Sequence, residues 1–387
     1  MTNPRRTILQ VIPDLDAGGA ERTTVEVAEA IVDAGWRAIV ATAGGRLVAE
    51  VEAAGSDVVT LPVGDKMPWS ILANARRLAD LIRREEVDLV HARSRAAAWA
   101  AERAARAAGV PIVTTYHGTY GEKNRLKKAY NAVMARGDVV IANSEFTADL
   151  IRARYDVPDE RLVVINRGVD VDRFERTAVP DERIAALRSS WGLGDADRVL
   201  LVPARLTRWK GQLVAIEAFR RAIAQGTSAQ AVLILAGDAQ GRDDYAGELH
   251  SAIAVAGLQD RIRLVGHCAD MPAAMAIADF MIISSTEPEA FGRTSVEAQA
   301  MGTPVIATNI GGPRDTVVAD GKDQTGWLVP PSDPAAMAAA IQRGLAAPDD
   351  EIAEIAAAGR RNARANYTTA RLQRLTLGVY RRLLDGA

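Results

Sequence analysis

Two glutamates, Glu289 and Glu297, follow an apolar run with seven residues between them, and Phe291-Gly292 is part of that interval. The run, residues 278–283, predicts a buried strand, and the sequence after it predicts a helix from near Gly292 to Gly302. In open parallel sheets, ligands bind beyond the carboxyl ends of the strands, and the N–H groups of a helix start suit a phosphate. The stretch therefore predicts a phosphate-bearing ligand beside both glutamates, although a solvated helix face offers the same spacing.

Two cations, Arg205 and Lys210, follow a second apolar run, Val199–Pro203. A planar guanidinium and a compact ammonium at the end of one strand can hold a diphosphate between them. Basic residues before a helix are also common on protein surfaces, so the spacing alone does not decide. Arg208 lies between the two cations and is assigned no role.

Together these stretches resemble the family 4 retaining glycosyltransferases of the GT-B fold. The interval from Glu289 to Glu297, followed by Met-Gly-Thr-Pro-Val-Ile-Ala at 301–307, looks like their Glu-x7-Glu element. Arg205–Gly211 is similar to the element whose arginine and lysine hold the donor's phosphates. The resemblance implies that Glu289 holds sugar hydroxyls and that Glu297 holds the ribose. It extends donor binding to the residues beside Glu289, namely Ala290, Phe291, Gly292, Arg293 and Thr294.

Two further loops resemble donor-binding elements of this family. After the first strand, the paired glycines Gly18 and Gly19 let the backbone approach a ligand, although a plain turn also explains them. Their Gly-Gly-Ala-Glu wording is similar to that of members that build lipopolysaccharide and other surface glycans. The loop with Gly266, His267 and Met271 resembles the one whose backbone cradles the donor's base. The chain has neither G-x-G-x-x-G nor a Walker loop, which argues against dinucleotide and ATP sites.

Other candidates stand at predicted strand ends in the first half. His117 follows the run Val113–Tyr116, where a lone histidine is more often structural than catalytic. Because the family places a histidine from this loop beside the transferred sugar, the resemblance implies a catalytic role for it. The predicted catalytic set is therefore His117, Arg205, Lys210 and Glu289. The acceptor-binding candidates are Arg93, Arg95 and Tyr120.

Residues 121–136 combine five basic side chains with apolar ones. The apolar positions recur at helical spacing, which predicts one shared face formed by Leu126, Tyr130, Val133 and Met134. A basic amphipathic helix fits a surface laid on anionic lipid, and similar transferases act on lipid-linked acceptors from such a helix. A solvated surface helix explains the pattern as well, and both interpretations stay open.

Metal ions and cofactors have little support in the sequence. The triplets Asp170–Asp172 and Asp195–Asp197 could hold a divalent ion on a diphosphate, but neither follows a strand as in the metal-using transferases. No His/Cys cluster suggests zinc, and no Gly-x-Ser-x-Gly suggests a hydrolase. We expect no metal and no cofactor, the nucleotide-sugar being a substrate.

Composition sets the broad class. The 387 residues suffice for two domains, and 47 basic against 49 acidic residues leave a net charge of −2, which gives no electrostatic case for nucleic acid. Cys268 is the only cysteine and excludes an internal disulfide. Met1–Arg6 leads into a strand without an apolar signal core, and no run approaches the ~20 apolar residues of a spanning helix. We expect a cytoplasmic protein, in peripheral contact with the inner face of the cytoplasmic membrane if residues 121–136 bind lipid.

Short β-like runs alternate with helix-period segments in both halves. The strand candidates of the first half are Thr7–Pro13, Arg37–Thr42, Asp57–Pro62, Asp88–His91, Pro111–Tyr116, Asp138–Asn143 and Leu162–Asn166. Those of the second half are Arg198–Pro203, Ala231–Ala236, Arg261–Val265, Asp279–Ile283, Pro304–Ala307 and Gly326–Val329. This order predicts an α/β protein with two Rossmann-like, doubly wound parallel-sheet domains facing a cleft. This is the GT-B arrangement that the resemblance implies, although the same order of elements fits other paired Rossmann-like proteins.

The domain limits follow from where the pattern restarts. Residues 1–170 are expected to form an acceptor-binding domain and residues 171–368 a nucleotide-sugar-binding domain. Residues 369–387 are a C-terminal helix that packs back on the first domain. The segment Arg167–Pro180, with glycine, proline and charges, is the expected linker.

The resulting prediction is a retaining, metal-independent glycosyltransferase. It moves a hexose from GDP-mannose or a UDP-sugar to a glycan or lipid-linked acceptor in the synthesis of cell-surface polysaccharide or lipopolysaccharide. Two rival classes remain open: a sugar-nucleotide epimerase or glycoside phosphorylase of the same fold, and a non-catalytic glycan-binding scaffold. A scaffold has no reason to retain both cations and both glutamates.

Overall fold

The computed structural model describes residues 6–16, 18–227 and 230–386. Met1–Arg5 and Ala17 of the glycine loop lie outside the described residues. The chain divides into two compact units, Met1–Gly168 with Thr369–Ala387 and Val169–Thr368. Within the described ranges, every helix is too short or too polar to span a bilayer.

The first unit alternates strands and helices along the chain. Its elements before residue 168 are β1 (Thr7–Val11), α1 (Gly19–Asp33), β2 (Arg37–Thr42), α2 (Val48–Ala53), β3 (Asp57–Thr60), α3 (Pro68–Arg84), β4 (Leu89–Ala92), α4 (Arg95–Ala108), β5 (Ile112–Tyr116), α5 (Arg125–Asn131), β6 (Val139–Ala142), α6 (Glu145–Arg154) and β7 (Leu162–Val164). Proline at the first helical position starts α3, and Gly109 in the left-handed conformation ends α4.

The strands of the first unit form one seven-stranded parallel sheet in the order β3-β2-β1-β4-β5-β6-β7. The strand order reverses between β1 and β4, where Ile8 lies opposite Leu89. β1, β4, β5 and β6 are buried along their whole length, as expected for central strands covered by helices on both faces. The reversal between β1 and β4 marks the ligand-binding crevice of such a sheet.

The second unit repeats this plan. Its elements are α7 (Asp181–Ser190), β8 (Arg198–Pro203), α8 (Gln212–Ala224), β9 (Ala231–Ala236), α9 (Asp243–Ala256), β10 (Ile262–Gly266), α10 (Met271–Ile277), β11 (Phe280–Ile283), α11 (Arg293–Met301), β12 (Val305–Thr308), α12 (Pro313–Thr316), β13 (Gly326–Val329), α13 (Pro334–Ala346) and α14 (Asp349–Asn366). The six strands are parallel in the order β10-β9-β8-β11-β12-β13, so the reversal falls between β8 and β11. The prediction of two doubly wound parallel-sheet units is confirmed.

The terminal helix α15 (Thr369–Asp385) belongs to the first unit. Its Tyr380 is fully buried, and the Tyr380 hydroxyl lies 2.5 Å from Nδ1 of His91 on β4. Nε2 of His91 lies 2.7 Å from Thr115 Oγ1, so both ring nitrogens have partners. Burial holds the pKa of His91 well below its ordinary value. His91 is therefore a neutral structural residue that joins α15 to the sheet.

Most of the expected linker, Arg167–Pro180, is packed against the core of the second unit. Val169, Phe174 and Val179 are buried in the core of the second unit, and the Val169 N–H donates to the Tyr367 carbonyl over 2.8 Å. The glycine and charges of Arg167–Pro180 indicated a linker, but apolar residues between them anchor most of the segment to the second unit.

Candidate functional site

The loop that follows β8 is fixed to the loop that follows β11. Gly211 has φ +69°, and a Cβ built on it would lie 1.9 Å from the carbonyl oxygen of Ser284, so only glycine fits. The Thr286 N–H donates to the Trp209 carbonyl over 2.7 Å, and Ser284 Oγ donates to the Lys210 carbonyl over 2.9 Å. The two loops that flank the strand-order reversal of the second unit therefore form one scaffold.

Lys210 and Glu289 meet on this scaffold. Lys210 Nζ lies 2.8 Å from Glu289 Oε1, and their side chains are only 16% and 12% exposed. Ser285 Oγ donates to the same carboxylate oxygen, and Lys210 Nζ lies 4.4 Å from the centroid of the Trp209 ring. A partly buried cation held in this way can contact an incoming phosphate without first losing a full hydration shell.

Arg205 differs from Lys210 in its surroundings. Its side chain is exposed and has no ion pair with any described residue, while Gln212 Nε2 donates to its carbonyl over 2.9 Å. Arg208 instead pairs with Glu248 and lies 5.2 Å from the centroid of the Tyr245 ring. Arg205 is therefore available to a ligand, whereas Arg208 is held at the surface, consistent with its having no assigned role.

The start of α11 is built from closely packed glycines. Gly292 has φ +77°, and a Cβ on Gly311 or Gly312 would lie 2.3 Å from Glu289 O or 2.2 Å from Phe291 C. The Gly312 N–H donates to the Glu289 carbonyl over 2.7 Å. This contact with residues 311–312 fixes the loop that carries Glu289, and the sequence reading missed it.

Phe291 and Glu297 anchor this helix start in different ways. The Phe291 ring is buried and packs edge-on against Tyr367, with centroids 5.8 Å apart, so only its backbone is left for a ligand. Glu297 Oε1 accepts from Arg293 Nε at 3.2 Å. Burial raises the pKa of Glu297 above its ordinary value despite the opposing charge of Arg293. Thr294 and Ala290 are half-buried beside them.

The predicted base loop follows β10. Gly266 has φ +71° and His267 is exposed, so the loop presents backbone to solvent. Met271 opens α10, whose N-terminus is capped by Asp270 Oδ1 accepting from the Ala273 N–H at 3.1 Å. Asp270 is also held by Arg183 through two hydrogen bonds of 2.8 and 2.5 Å. The loop is thus firmly tied at its helix end.

In the first unit, the side chain of Arg167 lies against both His117 and Gly19. Arg167 Nη2 lies 3.5 Å from His117 Nδ1 and donates to the His117 carbonyl over 3.2 Å. A Cβ on Gly19 would lie 2.1 Å from Arg167 Nη1, so a side chain at this position would displace the Arg167 guanidinium from the start of α1. Burial, followed by the charge of Arg167, holds the pKa of His117 well below its ordinary value. His117 is therefore a neutral imidazole, and Arg167, which the sequence reading assigned to the linker, belongs to its site.

Arg93 and Arg95 face different places. Arg93 is 1% exposed, donates from Nε to Gln10 Oε1 over 2.7 Å, and lines a small interior cavity with His91 and His117. Its burial lowers the pKa of its guanidinium to about 10. Arg95 lines an open cleft of about 500 Å³, donates to Asn131 Oδ1 over 3.0 Å and lies 4.1 Å from the centroid of the Tyr120 ring. The structure thus puts only Arg95 of the predicted arginine pair on the cleft.

Comparison with known proteins identifies the family. Residues 17–173 match the model of Glycosyltransferase Family 4, and residues 184–364 match the model of Glycosyl transferases group 1. A glycosyltransferase from Rickettsia africae is 33% identical in sequence, with a TM-score of 0.90 over 100% of both chains. The chain belongs to the family 4 glycosyltransferases of the GT-B fold.

Two other proteins show how far the likeness extends. Anabaena HepE, solved in complex with UDP-glucose, is 26% identical and superposes with a TM-score of 0.81 over 97% of this chain and 99% of its own. A D-inositol 3-phosphate glycosyltransferase of Xylanimonas cellulosilytica is 31% identical over 70% of this chain and 67% of its own. The resemblance noted from the Glu289, Arg205 and glycine-loop motifs is confirmed at the level of the family.

The basic segment of this glycosyltransferase differs from its prediction. Only Arg125–Asn131 is α-helical, and Ala132–Ala135 form a 3₁₀ turn that buries Val133 and Met134 completely in the core. Leu126 is 83% exposed, and Tyr130 stacks on Trp99 with ring centroids 6.4 Å apart. The four apolar residues therefore do not share one face. The exposed part of the segment is Leu126 surrounded by basic side chains.

In the two aspartate triplets of this glycosyltransferase, Asp170 and Asp197 accept hydrogen bonds from backbone N–H groups. Asp170 Oδ1 accepts from the Arg173 N–H at 3.0 Å, and Asp197 Oδ2 accepts from the Gly194 N–H at 2.8 Å. Asp172 lies 3.5 Å from Arg364. The described residues hold no group of three or more acidic, histidine or cysteine side chains suited to a metal ion. Metal independence stays a prediction.

Proposed function

We propose that this glycosyltransferase moves a hexose from a nucleotide-sugar donor bound by the second unit, with retention of anomeric configuration and without a metal ion. The observation that carries the proposal is the contact of Lys210 with Glu289, 2.8 Å, beside the strand-order reversal of that unit. A cation for a phosphate and a carboxylate for sugar hydroxyls stand side by side where such folds bind their ligands. Arg205 and the start of α11 complete the proposed diphosphate site.

The proposed mechanism is stabilisation of the leaving group. As the sugar becomes oxocarbenium-like, negative charge accumulates on the diphosphate, and Arg205, Lys210 and the N-terminus of α11 bind that charge more strongly in the transition state than in the ground state. Glu289 is already paired with Lys210 and serves to hold hydroxyls, which disfavours it as a covalent nucleophile. Retention then proceeds by front-face attack of the acceptor, which transfers its proton to the departing phosphate.

A UDP-hexose is the favoured donor. The support is HepE, which is similar over nearly the whole chain and was solved with UDP-glucose. The base loop of the present chain offers exposed backbone at Gly266 and His267, which suits recognition of a base by backbone groups. GDP-mannose is the competing donor.

The proposed acceptor is a glycan or a lipid-linked sugar in the synthesis of surface polysaccharide or lipopolysaccharide. Support comes from the sequence motif Gly18-Gly19-Ala20-Glu21 and from the cleft of the first unit that Arg95 lines. We further propose that the protein works at the inner face of the cytoplasmic membrane, held there by Leu126 and the basic side chains of residues 121–136.

The test is a panel of UDP, GDP and ADP in thermal unfolding, followed by assay of the favoured nucleotide-sugar. A tenfold excess of ligand over Kd adds about 1.4 kcal/mol of stability. We expect UDP to stabilise, and UDP-hexose to release UDP and give a product with an α-anomeric proton. Phosphate-dependent release of a sugar phosphate would indicate a phosphorylase, interconversion of two free nucleotide-sugars an epimerase, and no turnover with any acceptor a scaffold.

A further inference from the structure

We infer that Gln240, on the loop that follows β9, selects the nucleotide base of the donor by donating a hydrogen bond to a base carbonyl. The inference rests on the proposed function, because it assigns a specificity-determining residue to the donor site of that function. Uracil and guanine carry such a carbonyl, whereas cytosine and adenine carry an amino group in its place. Uracil is the expected base, because a UDP-hexose is the favoured donor.

The loop after β9 lies between the two loops assigned to the donor. Three strands end at the same level, because Ala236 at the end of β9 lies opposite both Pro203 of β8 and Gly266 of β10. The phosphate-directed cations follow β8, and the predicted base loop follows β10. Neighbouring strands are about 4.8 Å apart, so these two loops start roughly 10 Å apart. A nucleotide that contacts both of them therefore passes over the loop of β9.

The start of this middle loop is fixed beside the loop that carries the cations. A Cβ built on Gly237 would lie 1.9 Å from the carbonyl oxygen of Ala204, so the two chains touch through their backbones. The Leu206 N–H also donates to the Asp238 carbonyl over 3.1 Å. Residues 238–240 are thereby held next to Arg205, where a bound diphosphate would lie on the proposed model.

Gln240 has a backbone conformation that glutamine rarely adopts. Its φ is +49°, that of Gly241 is +76°, and the Arg242 N–H donates to the Ala239 carbonyl over 3.0 Å. Positive φ at both central residues is the pattern of a type I′ turn, which favours glycine, asparagine or aspartate rather than glutamine. The Gln240 side chain is exposed, so packing does not explain the choice. Residues held in such conformations cluster at ligand-binding sites.

The neighbours of Gln240 set the direction of its carboxamide. Asp238 Oδ1 accepts from the Gln240 N–H at 2.9 Å, and Arg242 Nη1 lies 3.5 Å from Gln240 Oε1. Because a guanidinium only donates, the carboxamide oxygen is directed to Arg242. The amide nitrogen Nε2 then has no acceptor among the described residues and is available to a ligand. It can donate to a base carbonyl, whereas an amino group at the same place would leave two donors facing each other.

The test compares nucleotides that differ in this group. Dissociation constants of UDP, CDP, GDP and ADP are measured by calorimetry on the full-length protein. UDP and CDP have the same ribose and diphosphate, so the ratio of their Kd values isolates the base. We expect the wild type to prefer UDP over CDP by about tenfold or more, as for a site that loses a hydrogen bond and gains an unpaired donor. Tighter binding of UDP than of GDP assigns uracil, and the reverse assigns guanine.

Gln240→Glu keeps the length of the side chain and removes its donor. A carboxylate accepts from the amino group of cytosine, so the UDP-to-CDP preference should fall by about fivefold or more. Repulsion between the new charge and the diphosphate weakens both nucleotides equally and cancels in the ratio.

Gln240→Asn separates recognition from backbone strain. Asparagine suits the positive φ better but is one methylene shorter, so we expect a higher Tm together with a loss of preference of about fivefold. Glu86→Asn is the matched control, because Glu86 is exposed, has φ +50° and lies in a turn of the first unit. It should also raise the Tm while keeping the wild-type preference.

The two possible failures are distinguishable. If UDP binds but the wild type does not prefer it to CDP, or if both Gln240 variants keep the wild-type preference, the inference is overturned and the proposed function stands. If none of the four nucleotides binds the wild type, the proposed function itself is overturned.

Discussion

Lys210 and Glu289 form an ion pair of 2.8 Å between the loops that follow β8 and β11. The pair is mostly shielded from water, so each charge is neutralised mainly by its partner. Removal of one side chain therefore leaves the other charge partly buried without a counter-charge. Donor binding on the proposed model brings a diphosphate to Lys210 and sugar hydroxyls to Glu289. The ion pair is therefore already formed in the ligand-free site, and substrate can bind there without a change in the conformation of either loop.

Substitution of either phosphate-directed cation is expected to impair catalysis strongly. Arg205→Ala and Lys210→Ala should each lower kcat/KM by ~10²-fold or more, as expected for loss of a cation that binds the charge of the transition state. Arg208→Ala removes an arginine of the same loop that is already paired with Glu248, and it should change kcat/KM by less than about threefold. Donor turnover by purified, folded variants is the measurement. Near-normal turnover in both Arg205→Ala and Lys210→Ala contradicts the phosphate assignment.

Glu297→Gln is expected to stabilise the ligand-free protein while weakening nucleotide binding. The folded-state pKa of Glu297 is raised, so its carboxylate costs stability at neutral pH, and this cost disappears as the pH falls below the unfolded-state value of about 4.3. The variant should therefore have a higher Tm than the wild type at pH 7 and an equal one near pH 4. Glu354→Gln, which changes an exposed helix residue, should show neither effect. A lower Tm at pH 7 would mean that the pair with Arg293 outweighs burial.

The strand ends that carry the donor site could be predicted from local sequence. The apolar runs before Arg205 and Glu289 are short and bounded by loops, and buried central strands of a parallel sheet have this pattern. Gly211 and Gly292 then supply positive φ angles at the positions where the two loops turn. At these strand ends the local sequence and the sheet topology favour the same backbone conformation, so few other conformations fit the sequence.

Residues brought together by long-range packing could not be predicted in this way. Arg167 contacts His117 and Gly19, which are far from it in sequence, and its own neighbours resemble a linker. Gly311 and Gly312 support Glu289 through backbone contacts that no periodicity reveals. Val133 and Met134 continue the helical spacing of Leu126, but the chain tightens into a 3₁₀ turn and directs them into the core. Arg93 and Arg95 are two positions apart on a rim, yet they face different cavities.

Catalysis is expected to continue in the presence of EDTA. The basis is that Asp170, Asp172 and Asp197 are occupied with backbone or arginine partners in turns. Turnover is compared in EDTA, in added Mg²⁺ and in added Mn²⁺, with the protein first dialysed against chelator. Activity that EDTA abolishes and metal restores would show that an aspartate or the diphosphate itself requires a divalent ion.

The proposed membrane surface within residues 121–136 contains fewer residues in the structure than the sequence pattern predicts. It consists of Leu126, 83% exposed, and the exposed basic residues Lys123, Arg125, Lys127 and Lys128. Each basic residue close to an anionic surface contributes on the order of 1 kcal/mol, so these four suffice for reversible binding. Because exposed charges are screened within about 10 Å at 0.1 M salt, the binding is expected to weaken at high ionic strength.

Co-sedimentation with vesicles tests this surface. The wild type should bind vesicles of phosphatidylglycerol at low salt, bind less at high salt and bind neutral vesicles poorly. Changing Lys123, Lys127 and Lys128 together to glutamate should abolish binding. Changing Arg374, Arg381 and Arg382 of α15 to glutamate alters net charge equally and should leave most binding intact, because the attraction depends on charge local to Leu126. Equal binding to neutral and anionic vesicles, or binding by the lysine variant, would make this segment an ordinary solvated surface and favour a soluble acceptor.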